Sequence, residues 1–392
     1  MFSASKRISS FVLLALLLAS CSGSSTPAPT VDVNAINTQA FATAFAAQTG
    51  TAFASLPTET PTPVPTPTYS GPPPELPPTL QVQGLAQGAT PHTYISDSCE
   101  YLKAKWDPNK SAPGTIVMVI MFHSIEKGTE TASNPMHVGS GDFKRLMKNL
   151  QNFGFQAINA NQLADFLDYN AKIPQRSVVL VQDDRHSAEN YNDWFRPYWD
   201  QFRWPVINGW ISWEDSIRNQ ILAGNIALGA EGLVDFQSHG YVHNTPMTDG
   251  MSDEYIRTEF ERSKADLQQN FNKTPVAIIW PGGGFGVRPV QIAREFGYRV
   301  GFTVNPRGPI MFNWVPQADV ATGTFDIAEG PVGDPRLTLP RYWPNQVIQN
   351  LDVIRVISEQ AAAYAEQSKA TELLYYDLVC APTYGPIPAA VP

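Results

Sequence analysis

Asp183 and Asp184 stand side by side just past an apolar run, Val178-Val179-Leu180-Val181. His239 and His243 follow a second such run, near Leu233 to Gln237, in the order Ser238-His239-Gly240-Tyr241-Val242-His243. Adjacent carboxylates at the end of a buried strand are poorly explained by packing, because an unpaired buried acid is costly. A helix N-cap accounts for such a pair about as well when it is taken alone. Histidines four apart share a face wherever the segment makes a helical turn, so both can present a nitrogen to one cation. One Asp with two His is a hydrolytic metal set that leaves positions for water and substrate. A lone pair of this kind also fits a solvent-facing loop. Both features at strand ends, in a chain with six histidines, point to a site.

The surrounding pattern must position those residues. Thr115 to Phe122 reads as a buried strand, and Phe143, Leu146, Met147, Leu150 and Phe153 mark one helix face that Gly154 stops. Phe155 to Asn159 is a short strand, followed by a helix around Leu163 to Leu167. Ser177 to Val181 and Leu233 to Gln237 are further strands, and Ser252 to Phe271 is a helix. A strand at Val276 to Trp280, a helix near Pro289 to Phe296, a strand at Tyr298 to Thr303 and a helix over Gln346 to Gln367 complete the series. Alternating β and α segments imply an α/β fold, its parallel strands backed by helices in a barrel or an open sheet. Function then belongs at the C-terminal ends of the strands.

Composition narrows the class. The 392 residues are 43% hydrophobic, with 9 Trp, 14 Tyr and 20 Phe, so wholesale disorder is excluded. Net charge is -9, which argues against a nucleic acid partner because phosphate binding needs a basic face. Lys6 and Arg7 precede an apolar run from Phe11 to Leu18, too short to span a bilayer but suited to a secretory leader. Leu18-Ala19-Ser20-Cys21 resembles a bacterial lipobox, which implies cleavage after residue 20 and lipidation of Cys21. The expected location is extracytoplasmic, with attachment to the cell membrane by lipid only. Residues 21–82 are a Thr/Pro/Ala-rich tether, with Thr60-Pro61-Thr62-Pro63-Val64-Pro65-Thr66-Pro67 at its centre. The folded domain is then 83–392. Cys99 and Cys380 lie near its two ends and can pair in an oxidising exterior; two separate buried thiols are the other reading.

Residues 116–343 resemble the polysaccharide deacetylases, carbohydrate esterase family 4, with a nodulation-deacetylase-like domain. Val119-Ile120-Met121-Phe122-His123-Ser124-Ile125 resembles the Tyr-His-x-Ile strand of the extracellular branch. Val179-Leu180-Val181-Gln182-Asp183-Asp184 is similar to the Thr-Phe-Asp-Asp-Gly motif, and Ser238 to His243 to the His-Ser/Thr-x-x-His motif. Ile279-Trp280-Pro281-Gly282 resembles the Tyr-Pro-x-Gly segment, with Phe296-Gly297-Tyr298 after it. The resemblance implies a distorted (β/α) barrel that removes acetyl groups from an N-acetylated polysaccharide, of peptidoglycan or poly-N-acetylglucosamine type. It implies Asp184, His239 and His243 as metal ligands and Asp183 as general base. The metal it implies is zinc first, with cobalt, nickel or manganese also suited to one Asp and two His. Trp280 then lines the sugar groove with Pro281 and Gly282, and Trp210, Trp213 and Trp343 are further groove candidates.

The departures carry consequences. The motif's Gly has become Arg185, at a turn expected to favour positive φ. Arg185 could attract an anionic substrate or pair with Asp183 and depress its basicity. Gly240 replaces the Ser or Thr after the first His. Leu339-Pro340-Arg341 stands where a Leu-x-His motif would supply the general acid, and His123 and His186 are the substitutes. Two functions follow: a metal-dependent deacetylase, or a catalytically impaired glycan- or wall-binding lipoprotein on the same fold. A glycosidase needs two carboxylates across a groove, and Asp183 and Asp184 are neighbours.

Overall fold

The computed structural model of the chain describes residues 68–76, 80–242, 245–321 and 327–391. The leader, Cys21, most of the tether and His243 lie outside the described residues. All that is described belongs to one compact unit, 67–392.

Eleven strands are described: β1 (Ala89–His92), β2 (Ile116–Phe122), β3 (Ser124–Glu126), β4 (His137–Gly139), β5 (Gln156–Ala157), β6 (Arg176–Gln182), β7 (Val206–Trp210), β8 (Val234–Ser238), β9 (Ala277–Ile279), β10 (Val300–Phe302) and β11 (Val315–Ala318). The main sheet runs β10-β9-β8-β7-β6-β2, with β5 also paired to β6, and every pair in it is parallel. β2 has no exposed residue, as expected of a parallel strand covered on both faces. The α/β class with a parallel sheet and outer helices is therefore as expected.

A segment with no strand-like signal draws the two edges of the sheet together. Leu339 pairs with Phe302 of β10, and Tyr342 pairs with Ile120 of β2, both in parallel sense. Leu339 N donates to Gly301 O at 2.8 Å, and Tyr342 N donates to Val119 O at 2.8 Å. Residues 339–342 thus bridge the outermost strands and curl the sheet toward a barrel. Pro340 is tolerated there because the ladder on either side is short and irregular.

Two apolar layers hold this frame. Ile116, Met118, Ile120 and Phe122 of β2 face one way, packing with the helix Ser140–Asn152 through Phe143, Leu146, Met147 and Leu150, and with the long helix Pro344–Tyr375. Val117 and Val119 face the other way, with Val179 and Val181 of β6, Ile279 of β9 and Phe302 of β10. Each fully buried aliphatic or Phe side chain contributes about 1.5–3 kcal/mol, so alternate residues of one strand tie both layers to the sheet. The helix Ala160–Tyr169 starts at a capping box of Asn159 and Gln162 and ends at left-handed Asn170.

The sequence pattern and the structure differ in several places. The packed body begins earlier than residue 83: the Tyr69 ring meets the Tyr375 ring edge-on at 5.1 Å, and Leu80 and Val82 lie against the core. β7 has no counterpart in the expected strand series, because Asn208 and Gly209 interrupt its short apolar run. The last helix runs Pro344–Tyr375 rather than from 346 to 367. Cys99 and Cys380 form a disulfide, with Cα atoms 5.2 Å apart, joining the helix Ser98–Trp106 to the C-terminal region. No described helix is long and apolar enough to cross a membrane.

Candidate active site

Three strand ends and the bridging segment converge. β6 ends at Gln182, so Asp183 and Asp184 leave its C-terminal edge, where Asp183 N donates to Phe122 O at the end of β2. β8 ends at Ser238 and presents His239, whose N donates to Trp210 O at the end of β7. His123 follows β2 directly, and Arg341 enters from the bridge.

Asp183 is buried, and its Oδ1 accepts from Arg341 Nη1 at 2.6 Å. Arg341 is fully buried as well, and its Nε donates to Thr303 O at 2.6 Å. His123 Nε2 lies 3.6 Å from Asp183 Oδ2, and the His123 ring stacks on Trp343 at 5.4 Å between centroids. Burial alone would raise the Asp183 carboxyl, but the charges of Arg341 and the neighbouring imidazoles outweigh it and hold it below the usual carboxylate range. Burial pushes the His123 imidazole down, against the pull of Asp183.

Asp184 and His239 form the second pair. His239 Nε2 lies 3.7 Å from Asp184 Oδ1. His239 Nδ1 bonds Ile279 O at 2.8 Å, which makes Nδ1 the donor and leaves the Nε2 lone pair turned toward Asp184. That tautomer and that carboxylate oxygen suit a divalent metal, so the residues present fit the group the resemblance implies. Among the described residues no cluster of three or more metal-ligating side chains occurs, and His243 lies outside them. Gly209 allows the close approach of His239, since a Cβ there would sit 3.3 Å from the His239 Cβ.

The expectation about the lost glycine is corrected. Asp184, not Arg185, takes the left-handed backbone, at φ 65°. Asn208 Nδ2 holds that turn by donating to Asp184 O at 2.7 Å. Arg185 does not pair with Asp183: its Nη2 bonds Asp215 Oδ2 at 2.7 Å, and its Nη1 bonds Trp213 O at 3.0 Å. The guanidinium is mostly buried and already neutralised, which weakens its assignment as an anion-binding group.

Other candidates divide. His186 Nε2 accepts from Gln182 Nε2 at 2.8 Å and lies 3.1 Å from Asp183 O, and its own carbonyl accepts from Asn225, so it is a strut of the turn; burial pushes its imidazole down. Trp280 is fully buried, donates Nε1–H to Leu337 O at 2.8 Å and packs with Phe260 and Phe285, so it belongs to the core and does not line a groove. Pro281 is buried beside Gly240, and Gly282 is exposed at φ 56°. Trp210 is core; Trp343 is half-buried against His123; Trp213 is exposed.

Two residues escaped sequence reasoning. Arg341 was noted only for replacing a histidine, yet an arginine between Leu339 and Tyr342 in an apolar run requires a buried counter-charge. Glu259 is buried, and its Oε2 accepts from Tyr241 N at 2.6 Å and Val242 N at 2.9 Å, pinning the chain that follows His239. Burial raises its carboxyl, and the two amides oppose that. Its signal was an acid on the apolar face of the helix Asp253–Phe271, between Ile256 and Phe260.

Residues 223–301 match the family model for polysaccharide deacetylase. The match covers His239 and Trp280 but not Asp183 or Asp184. No curated protein matches the chain. Among solved structures, it is similar to the Streptococcus pyogenes deacetylase PplD in complex with acetate, at 20% identity and TM-score 0.47, over 60% of this chain and 98% of that one. It is similar to a de-N-acetylase from Aggregatibacter actinomycetemcomitans, at 16% identity and TM-score 0.47, over 60% and 99%. IcaB from Ammonifex degensii follows at 14% identity and TM-score 0.45, over 62% and 97%.

Proposed function

We propose that the chain is a metal-dependent hydrolase that removes N-acetyl groups, or O-acetyl groups, from an extracellular amino-sugar polysaccharide. The observation that carries this reading is the Asp184–His239 pair, with the His239 tautomer set by Ile279 O beside the buried carboxylate of Asp183. Asp184 and His239, together with His243, would hold the metal. A divalent ion there, zinc first, supplies Lewis acidity for the acyl carbonyl and lowers the pKa of water. Asp183 takes the proton of the attacking water. His123, within 3.6 Å of Asp183, carries a proton to the departing amine nitrogen. His186 is less suited to that role because its Nε2 is already engaged by the Gln182 side-chain amide. The lipobox-like Leu18-Ala19-Ser20-Cys21 and the Cys99–Cys380 disulfide both support work outside the cytoplasm.

One observation favours the second reading, glycan binding without turnover. Arg341 holds Asp183 below the usual carboxylate range, which weakens it as a base. Metal content and acetate release separate the two. One transition metal per chain, lost in Asp184→Ala, with acetate released from peptidoglycan or poly-N-acetylglucosamine, supports the hydrolase. Metal-free protein after incubation with zinc, cobalt or manganese would sink it and leave the binding reading.

A further inference from the structure

Of the nine tryptophans, eight are buried or half-buried, and Trp213 alone is exposed, at 44%. An exposed indole is ordinary on a floppy loop, but this one is braced from both sides. Arg185, the residue directly after Asp184, donates to Trp213 O at 3.0 Å and clamps Asp215 with both terminal nitrogens, at 3.1 and 2.7 Å. Asp215 in turn caps the helix Ser216–Glu231 by accepting from Arg218 N at 2.7 Å. Across from it, the Tyr241 ring meets the Trp213 ring at 5.3 Å and 66°. Tyr241 follows His239 by two residues; Glu259 fixes its backbone, and the Arg262 guanidinium lies 5.1 Å from its ring. The His239 side is thus followed along the chain by Tyr241, and the Asp184 side is tied to Trp213 through the hydrogen bond of Arg185.

We propose that Trp213 and Tyr241 form a stacking shelf for a pyranose ring of a polysaccharide, one sugar removed from the ring presented to Asp184 and His239. The inference rests on the deacetylase reading for its choice of sugar. The C–H face of a hexosamine carries slight positive charge and is apolar, and it suits the negative face of an indole that meets Tyr241 edge-on and stays 44% exposed. Rigid bracing means little ordering entropy is lost when the sugar docks. The shelf also explains the arginine that stands in the Asp-Asp motif: Arg185 is a positioning residue for Trp213, and its charge is consumed by Asp215. A site built this way selects chains of two or more sugars over a free monosaccharide.

The probe is the N-acetylglucosamine tetramer, titrated into the full chain with chelator present and followed by calorimetry and tryptophan fluorescence. Trp213→Ala should weaken binding tenfold or more, Trp213→Phe should stay within about threefold of wild type, and Tyr241→Ala should weaken it severalfold. Arg185→Gly should weaken it severalfold with its indole intact, and circular dichroism of every variant should match wild type. Tetramer binding that is unchanged in both Trp213→Ala and Tyr241→Ala overturns the shelf, as does a wild type that ignores the tetramer. A concentration-dependent dimer lost in Trp213→Ala overturns it too, since the shelf would then serve a second copy. Tetramer binding of this pattern without acetate release under any metal leaves the shelf standing and removes the hydrolase reading.

Discussion

Arg341 and Asp183 meet at 2.6 Å with neither side chain more than 2% exposed. Two charges removed from water in this way depend on each other, and taking away one partner leaves the other buried and unpaired. Arg341→Met should therefore destabilise the fold by about 3–5 kcal/mol, measured by urea unfolding at neutral pH. The double variant Arg341→Met/Asp183→Asn should recover most of that loss. A strictly additive double variant would show that the pair is not coupled.

The two histidines near the base should separate kinetically. His123→Gln should lower kcat by about a hundredfold or more, the range for loss of a positioned acid or base. His186→Gln should act mainly on stability, because it removes the imidazole that accepts from Gln182 beside the Asp183–Asp184 turn. Equal kcat losses in both, at equal metal content, would refute the assignment of proton transfer to His123.

The Cys99–Cys380 disulfide closes a loop with a sequence separation of 281. On the chain-entropy account, a loop of that size is worth roughly 5 kcal/mol, with native strain or unfolded-state structure lowering the figure. Cys99→Ser/Cys380→Ser, or reduction of the wild type, should lower Tm by several degrees or more. A melting curve that reduction does not move would mean the bond contributes nothing to stability.

Alkali should unfold the chain through its buried phenols. Burial raises Tyr94, Tyr101, Tyr191, Tyr298 and Tyr342 above the ordinary value of 10.0. A group raised on folding contributes stability that is fully present below its unfolded pKa and is lost as pH climbs toward its folded one. Urea midpoints should hold steady to about pH 9 and fall steadily above about pH 10. In Tyr342→Phe the fall should be shallower than in wild type; an identical slope would show that this phenol is not part of the linkage.

The parallel sheet was legible because β2 is an uninterrupted apolar run of strand length, β6 carries a shorter one at Val178–Val181, and helix faces such as Phe143 to Leu150 repeat at the helical period. The pairing of Asp184 with His239 was legible from residue type and position at strand ends. Arg341 was not, because its role depends on a bridge between strands distant in sequence, and residues 339–342 carry neither periodicity nor length. Trp280 misled for a related reason. A tryptophan beside a motif reads equally as platform or core, and only the packing of Phe260, Phe285 and Leu337 around it decides. The sequence leaves Arg185 between an anionic substrate and nearby Asp183, whereas its partner, Asp215, is 30 residues away.

The bridge between β10 and β2 also orders events in time. It is drawn from residues 339–342, beyond the last strand of the sheet, so an emerging chain can assemble β2 to β10 before the bridge exists. Until then β10 and the part of β2 beyond its pairing with Ile310 offer bare edges to any passing strand, and Asp183 lacks its Arg341 counter-ion. Arrival of residues 339–342, protection from sticking to other chains and pairing of the candidate base are therefore a single event. Prematurely ended products should aggregate rather than persist as soluble, half-built enzymes, and a truncation series crossing residue 339 would show it as an abrupt step in solubility; a gradual decline would argue that the edges are protected by something else.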